Sequence, residues 1–209
     1  MLDYRIRKGQ NNLKSNPAIF LIHGYGSHAE DLFAFAPYLP KSHSIIALQA
    51  PLAIAHSCYA WYPLYPNDDG TFRSELESAW KAVELLAENI DLLVSKYDLN
   101  ISDLSLFGFS QGAILSWALA FSKPKKVRRI VALSGFIDES VNTSKPPTFL
   151  AYAAHGETDT VIPIAKARDS ILPLTKKYTE IEYYEYPEGH TISQENFTNL
   201  IKWLKNTDL

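Results

Sequence analysis

The stretch Leu106-Phe-Gly-Phe-Ser110-Gln-Gly-Ala113 constrains this chain more than any other. An apolar run, Ser105-Leu106-Phe107, stops at Gly108-Phe109-Ser110-Gln111-Gly112 and is followed at once by Ala113-Ile-Leu-Ser-Trp-Ala-Leu-Ala120, a nearly uncharged helix former. Strand, tight turn and helix in that order form the context in which a G-x-S-x-G match presents a serine for nucleophilic attack. A hydroxyl is a weak nucleophile unless it is held clear of the backbone where a base can reach it. Flanking glycines remove the Cβ atoms that would clash in so sharp a turn. The plainer reading of the same residues is a strand-to-helix turn with a capping serine.

The chain around this stretch alternates strands and helices. Leu2–Lys8 reads as an edge strand, Gly9–Pro17 as a loop and Ala18–Ile22 as a strand covered on both faces. A short helix over Ala29–Tyr38 precedes a buried strand at Ser44–Leu48. Gln49–Arg73 shows no clear period, and its many aromatic residues argue against disorder in so long a connection. Ser74-x-x-Glu77 suggests a capping box opening a long helix with Leu76, Ala79, Trp80, Val83, Ala87, Ile90 and Val94 on one stripe. Strands are expected at Asp103–Phe107, Val127–Leu133, Phe149–Ala154 and Glu180–Tyr186. Helices are expected at Ile114–Phe121, from Pro163 until Pro173 stops or kinks it, and at Glu195–Leu204. Such alternation implies βαβ units and a mainly parallel sheet, with residues 1–209 forming a single α/β domain.

Composition narrows the function classes. With 46% hydrophobic residues and a formal charge of −3, the chain should bury a sizeable core and offers no basis for a nucleic-acid partner. The basic run Lys123–Arg129 reads as a solvated helix end. Cys58 is the one cysteine, which excludes an intrachain disulfide and fits a reducing compartment. The first residues show no signal-peptide pattern, and no apolar run is long enough to form a transmembrane segment, so a cytoplasmic location is expected.

In open α/β sheets the ligand crevice lies at the carboxyl ends of the strands, so partners of Ser110 should follow other strands. Asp159 lies in the loop after Phe149–Ala154, and His190 follows Glu180–Tyr186. Ser…Asp…His is the chain order of an α/β-hydrolase triad. In this reading His190 takes the proton from Ser110 while Asp159 orients the imidazole. Glu157 is the rival acid, and Asp138, after the preceding strand, a more distant one. Two backbone N–H donors should face the developing oxyanion, those of Gln111 and of Tyr25 in the turn His23-Gly-Tyr-Gly26. His23 and His155 suit structural hydrogen bonding better than catalysis. None of His28, His43 and His56 has a second His or Cys at ligand spacing, so no metal site is expected. Within Tyr59–Pro66 the aromatic rings form a pocket wall, a short lid, a cover for the sheet edge or a subunit contact. Trp61 is the first choice for substrate contact, followed by Phe136 and Ile162.

These motifs, together with Ala50-Pro51, Leu133-Ser-Gly135, His155-Gly and Ile162-Pro163, resemble the phospholipase/carboxylesterase group of α/β-hydrolases, which includes acyl-protein thioesterases. The resemblance runs from about Pro17 to the C-terminus. It implies a minimal α/β-hydrolase fold, a mainly parallel sheet of about seven strands with helices on both faces and no large cap domain. It also implies cofactor-free hydrolysis of a small-molecule ester or thioester, with Ser110, Asp159 and His190 as the triad and Tyr25 and Gln111 at the oxyanion positions. Lysophospholipid or acylated-protein hydrolysis is the alternative, and a non-catalytic binding scaffold the reading from another class. Oligomeric state stays open between monomer and dimer. Ala113 stands where members often carry a further glycine, and Gln49 where many carry arginine before Ala-Pro. The segment between Pro51 and Trp61 also lacks the usual glycine-rich stretch. These departures leave the triad intact and bear on the substrate.

Overall fold

The computed structural model describes residues 1–10, 15–68 and 72–208. In chain order the elements are β1 (Tyr4–Arg7), β2 (Asn16–Ile22), α1 (Ala29–Phe33), a 3-10 turn at Ala36–Tyr38 and β3 (Ser44–Leu48). Four short strands follow: β4 (Leu52–Ala55), β5 (Cys58–Ala60), β6 (Leu64–Pro66) and β7 (Phe72–Ser74). The chain continues through α2 (Leu76–Tyr97), β8 (Leu99–Phe109), α3 (Gln111–Ser122), β9 (Arg129–Leu133) and β10 (Leu150–Gly156). It closes with α4 (Ile164–Thr175), β11 (Ile181–Tyr186) and α5 (Gln194–Asn206).

Seven strands form the central sheet in the order β1-β3-β2-β8-β9-β10-β11. Every pairing is parallel except β1 with β3, an antiparallel edge. Strand order reverses between β2 and β8, which opens a crevice at their carboxyl ends. Alternation along β2 divides the core into two layers. Ala18, Phe20 and Ile22 face α2, α3 and α4, whereas Ile19 and Leu21 face α1 and α5. Helix α3 is apolar on nearly all sides because it is wedged between the sheet and α2, with Leu115, Trp117 and Leu119 almost wholly buried.

Several local expectations need correction. Gln49–Arg73 is not a structureless connection: β4 pairs with β5 and β6 with β7 as two antiparallel hairpins. Strands of three or four residues are too short to show a period. Ser74 does not cap α2, because it is committed to pairing with Leu64. The cap position falls to Glu75, which makes no capping bond, and Glu77 pairs with Lys81 instead. Pro173 does not stop α4, which runs on to Thr175. Only two helical residues follow Pro173, which is solvent-exposed. The single helix expected over Ala29–Tyr38 is α1 followed by the separate 3-10 turn. Residues 11–14 of the expected loop lie outside the described residues.

The basic run also resolves differently from a solvated helix end. Lys123 and Lys126 do reach Glu84 and Asp91 on α2. Arg129, however, is fully buried at the start of β9. Its Nη2 donates to Asp103 Oδ1 at 2.6 Å and to His43 Nε2 at 3.0 Å. Nε donates to Ser105 Oγ at 3.0 Å and Nη1 to Asp208 Oδ1 at 2.7 Å. This guanidinium ties β8, β9, the loop before β3 and the C-terminal segment together at the amino ends of the strands. Removing one member of such a buried ionic group leaves another charge uncompensated, at a cost of about 3–5 kcal/mol. Arg129→Met should therefore lower the urea midpoint by an amount equivalent to about 3 kcal/mol or more. A loss below about 1 kcal/mol would show that water reaches the site in the folded state.

Candidate active site

Ser110 occupies the turn between β8 and α3 with φ 55° and ψ −117°, a conformation costly for any residue with a Cβ. Close packing enforces it. A Cβ on Gly112 would lie 1.9 Å from Ile22 O, and one on Gly108 would lie 2.3 Å from Gly112 O. Only glycine lets α3 start so near the ends of β2 and β8. Ser110 N–H donates to Leu133 O at 2.9 Å, and Ser110 O accepts from Ala113 and Ile114 N–H. The backbone is satisfied, and the side chain stands clear of it.

Three loops bring the polar groups together. Ser110 Oγ lies 3.0 Å from His190 Nε2, and His190 Nδ1 lies 2.7 Å from Asp159 Oδ2. Asp159 is held from its other side, since Oδ1 accepts from Val161 N–H at 2.8 Å and Ile162 N–H at 2.9 Å. The Phe109 ring packs on the imidazole at 4.9 Å between centroids. With Nδ1–H directed to the carboxylate, Nε2 presents a lone pair to the serine hydroxyl. Neither rival acid takes the place of Asp159. Glu157 points to solvent, and Asp138 Oδ1 accepts from Ser140 N–H and Oγ–H.

The structure also places residues whose roles the sequence did not disclose. Glu188 is buried and accepts from Ser193 N–H and Asn196 Nδ2, while its carbonyl accepts from Thr158 N–H and Oγ–H. It thereby joins the loop of Asp159, the loop of His190 and the start of α5. The approach is close enough that a Cβ on Gly156 would meet Gly189 O at 2.2 Å. The Gln111 side chain clamps the hairpin segment: Oε1 accepts from Trp61 N–H at 2.9 Å and Nε2 donates to Tyr62 O at 2.9 Å. A charged residue before Gly-His and a glutamine after the serine were the available signals, but their partners are distant in sequence.

Trp61, expected to touch substrate, does not line the cavity beside Ser110. It is buried, and its indole N–H donates to His23 O at 2.9 Å. The apolar ring fills the space beneath the turn, so it supports that turn from below. Phe136 and Ile162 do line the cavity, as does Tyr25. Among the described residues, neither the Tyr25 nor the Gln111 backbone N–H has a hydrogen-bond acceptor. For Gln111 this follows from its place at the first position of α3. The cavity has a volume of about 610 Å³ and opens at Phe72, Leu76 and Val161, all well exposed.

His23 and His155 are engaged in support. His23 Nδ1–H donates to Gly24 O at 2.8 Å and Nε2 accepts from Ala50 N–H at 3.1 Å. His155 Nε2 donates to Ile162 O at 2.8 Å, bracing the loop of Asp159.

The model of the family described as Phospholipase/Carboxylesterase matches residues 7–208. The chain belongs to that family. Among its relatives, acyl-protein thioesterase 1 of Candida albicans is 26% identical, covering 96% of each chain. Acyl-protein thioesterase 1 of Kluyveromyces lactis is 27% identical, covering 91% of this chain and 93% of its own. The crystal structure of esterase PE8 superposes with a TM-score of 0.85 at 25% identity, covering 98% of each chain. The Bacillus cereus carboxylesterase, 16% identical, shares the fold with a TM-score of 0.82 over 99% of this chain and 94% of its own. Membership makes the protein an α/β-hydrolase acting on ester bonds. No helix among the described residues is long and apolar enough to cross a membrane.

Burial lowers the pKa of His23 from 6.5 to about 4, against the raising effect of its bond to Gly24. An unfolded chain therefore binds a proton between these values that the folded chain refuses, so stability rises with pH across that window and is lost as pH falls from about 6.5 to about 4. The full effect is on the order of 3 kcal/mol. Urea titrations at pH 7, 5.5 and 4.5 should show a shallower acid loss in His23→Gln than in the wild type. Equal slopes in the two proteins would show that water solvates the His23 imidazole.

Proposed function

We propose that the protein is a serine carboxylesterase or thioesterase for small to medium acyl groups, with Ser110 as nucleophile, His190 as general base and acid, and Asp159 as orienting carboxylate. The observation that carries the reading is one imidazole bonded at both nitrogens, 3.0 Å from Ser110 Oγ and 2.7 Å from Asp159 Oδ2. His190 removes the hydroxyl proton as Ser110 attacks the carbonyl carbon. The resulting oxyanion takes hydrogen bonds from the N–H groups of Tyr25 and Gln111, which have no acceptor among the described residues. The positive end of α3 points the same way. His190 then protonates the leaving oxygen or sulfur, giving an acyl-serine. Water, activated by the same imidazole, releases the acid and restores Ser110. All groups needed for these steps come from the chain, and no cofactor takes part in them.

Tyr25, Phe136 and Ile162, which line the cavity, are the proposed contacts for substrate. A longer acyl chain, as on a lysophospholipid or an acylated protein, is the second reading. It is favoured by the exposed apolar rim of Phe72, Leu76 and Val161 and by relatives named as acyl-protein thioesterases. A cytoplasmic setting suits such a substrate and the unpaired thiol of Cys58. Oligomeric state, monomer or dimer, does not enter the mechanism, because all three side chains come from one chain.

Hydrolysis of p-nitrophenyl butyrate should fall by about 10³-fold or more in Ser110→Ala and His190→Ala, and the double variant should be little worse than either single one. A fluorophosphonate probe should label the wild type and not Ser110→Ala. Labelling that persists in Ser110→Ala would move the nucleophile elsewhere. Comparing acetyl, octanoyl and palmitoyl thioesters then separates the two substrate readings.

A further inference from the structure

Asp138 remains after the catalytic assignments, a carboxylate on the wall of a mostly apolar cavity. Leu64, Leu76, Val83, Leu115, Ala118 and Val141 supply much of that wall. Asp138 is partly buried, and an ionised group set among such neighbours is stabilised by hydrogen bonds to its lone pairs. One of its oxygens is provided for. Asp138 Oδ1 accepts from Ser140 N–H at 3.0 Å and from Ser140 Oγ–H at 2.6 Å. Ser140 Oγ in turn accepts from Trp80 Nε1–H at 3.2 Å, and Ile137 N–H donates to Ser170 Oγ at 3.1 Å. The loop carrying Asp138 is thus anchored to α2 on one side and α4 on the other, so the carboxylate is fixed before any ligand arrives.

The other oxygen, Oδ2, has no donor among the described residues, and no lysine, arginine or histidine nitrogen pairs with it. Asp138 shares the cavity lining with Ser110 and His190. Tyr62 also lines it, and burial followed by the charge of Asp138 keeps its phenol protonated. An oriented, unused acceptor beside an apolar channel is what a site built for a hydrogen-bond donor requires.

Resting on the hydrolase reading above, we infer that Asp138 Oδ2 selects substrates bearing a hydroxyl group remote from the scissile carbonyl. A neutral hydroxyl fits better than an ammonium, because Lys166 lines the same cavity and holds its own positive charge over the Phe136 ring at 5.1 Å. A carboxylate would meet Asp138 as a like charge. The hydroxyl can belong to the acyl chain or to the alcohol part, and the substrate panel distinguishes the two.

The experiment compares kcat/KM for p-nitrophenyl octanoates carrying, at successive chain positions, a hydroxyl, its methyl ether or an amine. A parallel arm uses octanoate monoesters of diols and their methyl ethers. In the wild type the hydroxyl compound should exceed its methyl ether by about tenfold or more at one position, since only the hydroxyl donates to the charged acceptor. Asp138→Asn, which turns an amide N–H₂ toward the cavity, should bring that ratio to about one or below. Should that variant not fold, Ser140→Ala loosens the carboxylate and should lower the same ratio. The acyl or the alcohol arm carries the effect according to where the hydroxyl sits. Equal rates for hydroxyl and ether in both arms of the wild type, a ratio unchanged in Asp138→Asn, or a larger gain from the amine would overturn the inference. Fluorophosphonate labelling separates this from failure of the hydrolase reading, which would leave Ser110 unlabelled and every ester intact.

Discussion

The backbone of Ser110 lies in a region of φ and ψ that costs on the order of 1–3 kcal/mol to occupy, and the surrounding structure is arranged to hold it there. Helix α3 can begin only where Gly112 meets the carbonyl of Ile22, and that contact sets how near β2 and β8 come at their carboxyl ends. From this spacing follow the other positions. The turn after β2 is drawn beside the serine, the loops after β10 and β11 reach over the same edge, and the cavity forms between α2 and α3. A side chain at position 112 would push the helix away and disperse all of them at once.

The two ends of the sheet divide the work. At the amino ends, Arg129 gathers Asp103, Ser105 and His43 into a buried group and reaches out to the exposed Asp208. At the carboxyl ends the polar groups are left with vacant capacity: two amide N–H groups, one carboxylate oxygen and a hydroxyl next to a base. Unused hydrogen-bonding capacity costs little where a ligand or water can enter.

Much of this was legible in the sequence because its signals were local. Ser105–Gly112 carried strand, turn and helix within a few residues, Asp159 followed the apolar run of Phe149–Ala154, and His190 followed the tyrosine-rich strand Glu180–Tyr186. The continuous apolarity of Ala18–Ile22 and Ile45–Leu48 marked strands covered on both faces. What escaped detection depends on contacts between distant segments. Strands of three or four residues in the two hairpins have no period to detect. Trp61 looks like a substrate contact by residue type, and only its bond to His23 O identifies it as a support. Arg129 belongs by composition to an exposed basic run, and its burial depends on Asp103 and Asp208 being brought to it.

The departures from the family pattern are absorbed in the same local way. Ala113 fits because position 135 is glycine: a Cβ there would lie 2.6 Å from the Ala113 Cβ. Gln49, in place of arginine, accepts from Ala29 N–H at 3.0 Å and donates toward His23, linking the start of α1 to the turn after β2. Neither change touches Ser110, His190 or Asp159. The β6–β7 hairpin and the loop carrying Asp138 are a different matter, since both form cavity wall and neither supplies a reacting group. Substitution there reshapes the cavity wall without touching Ser110, His190 or Asp159. The carboxylate of Asp138, fixed by Ser140 and Trp80 yet open on one side, belongs to this second class.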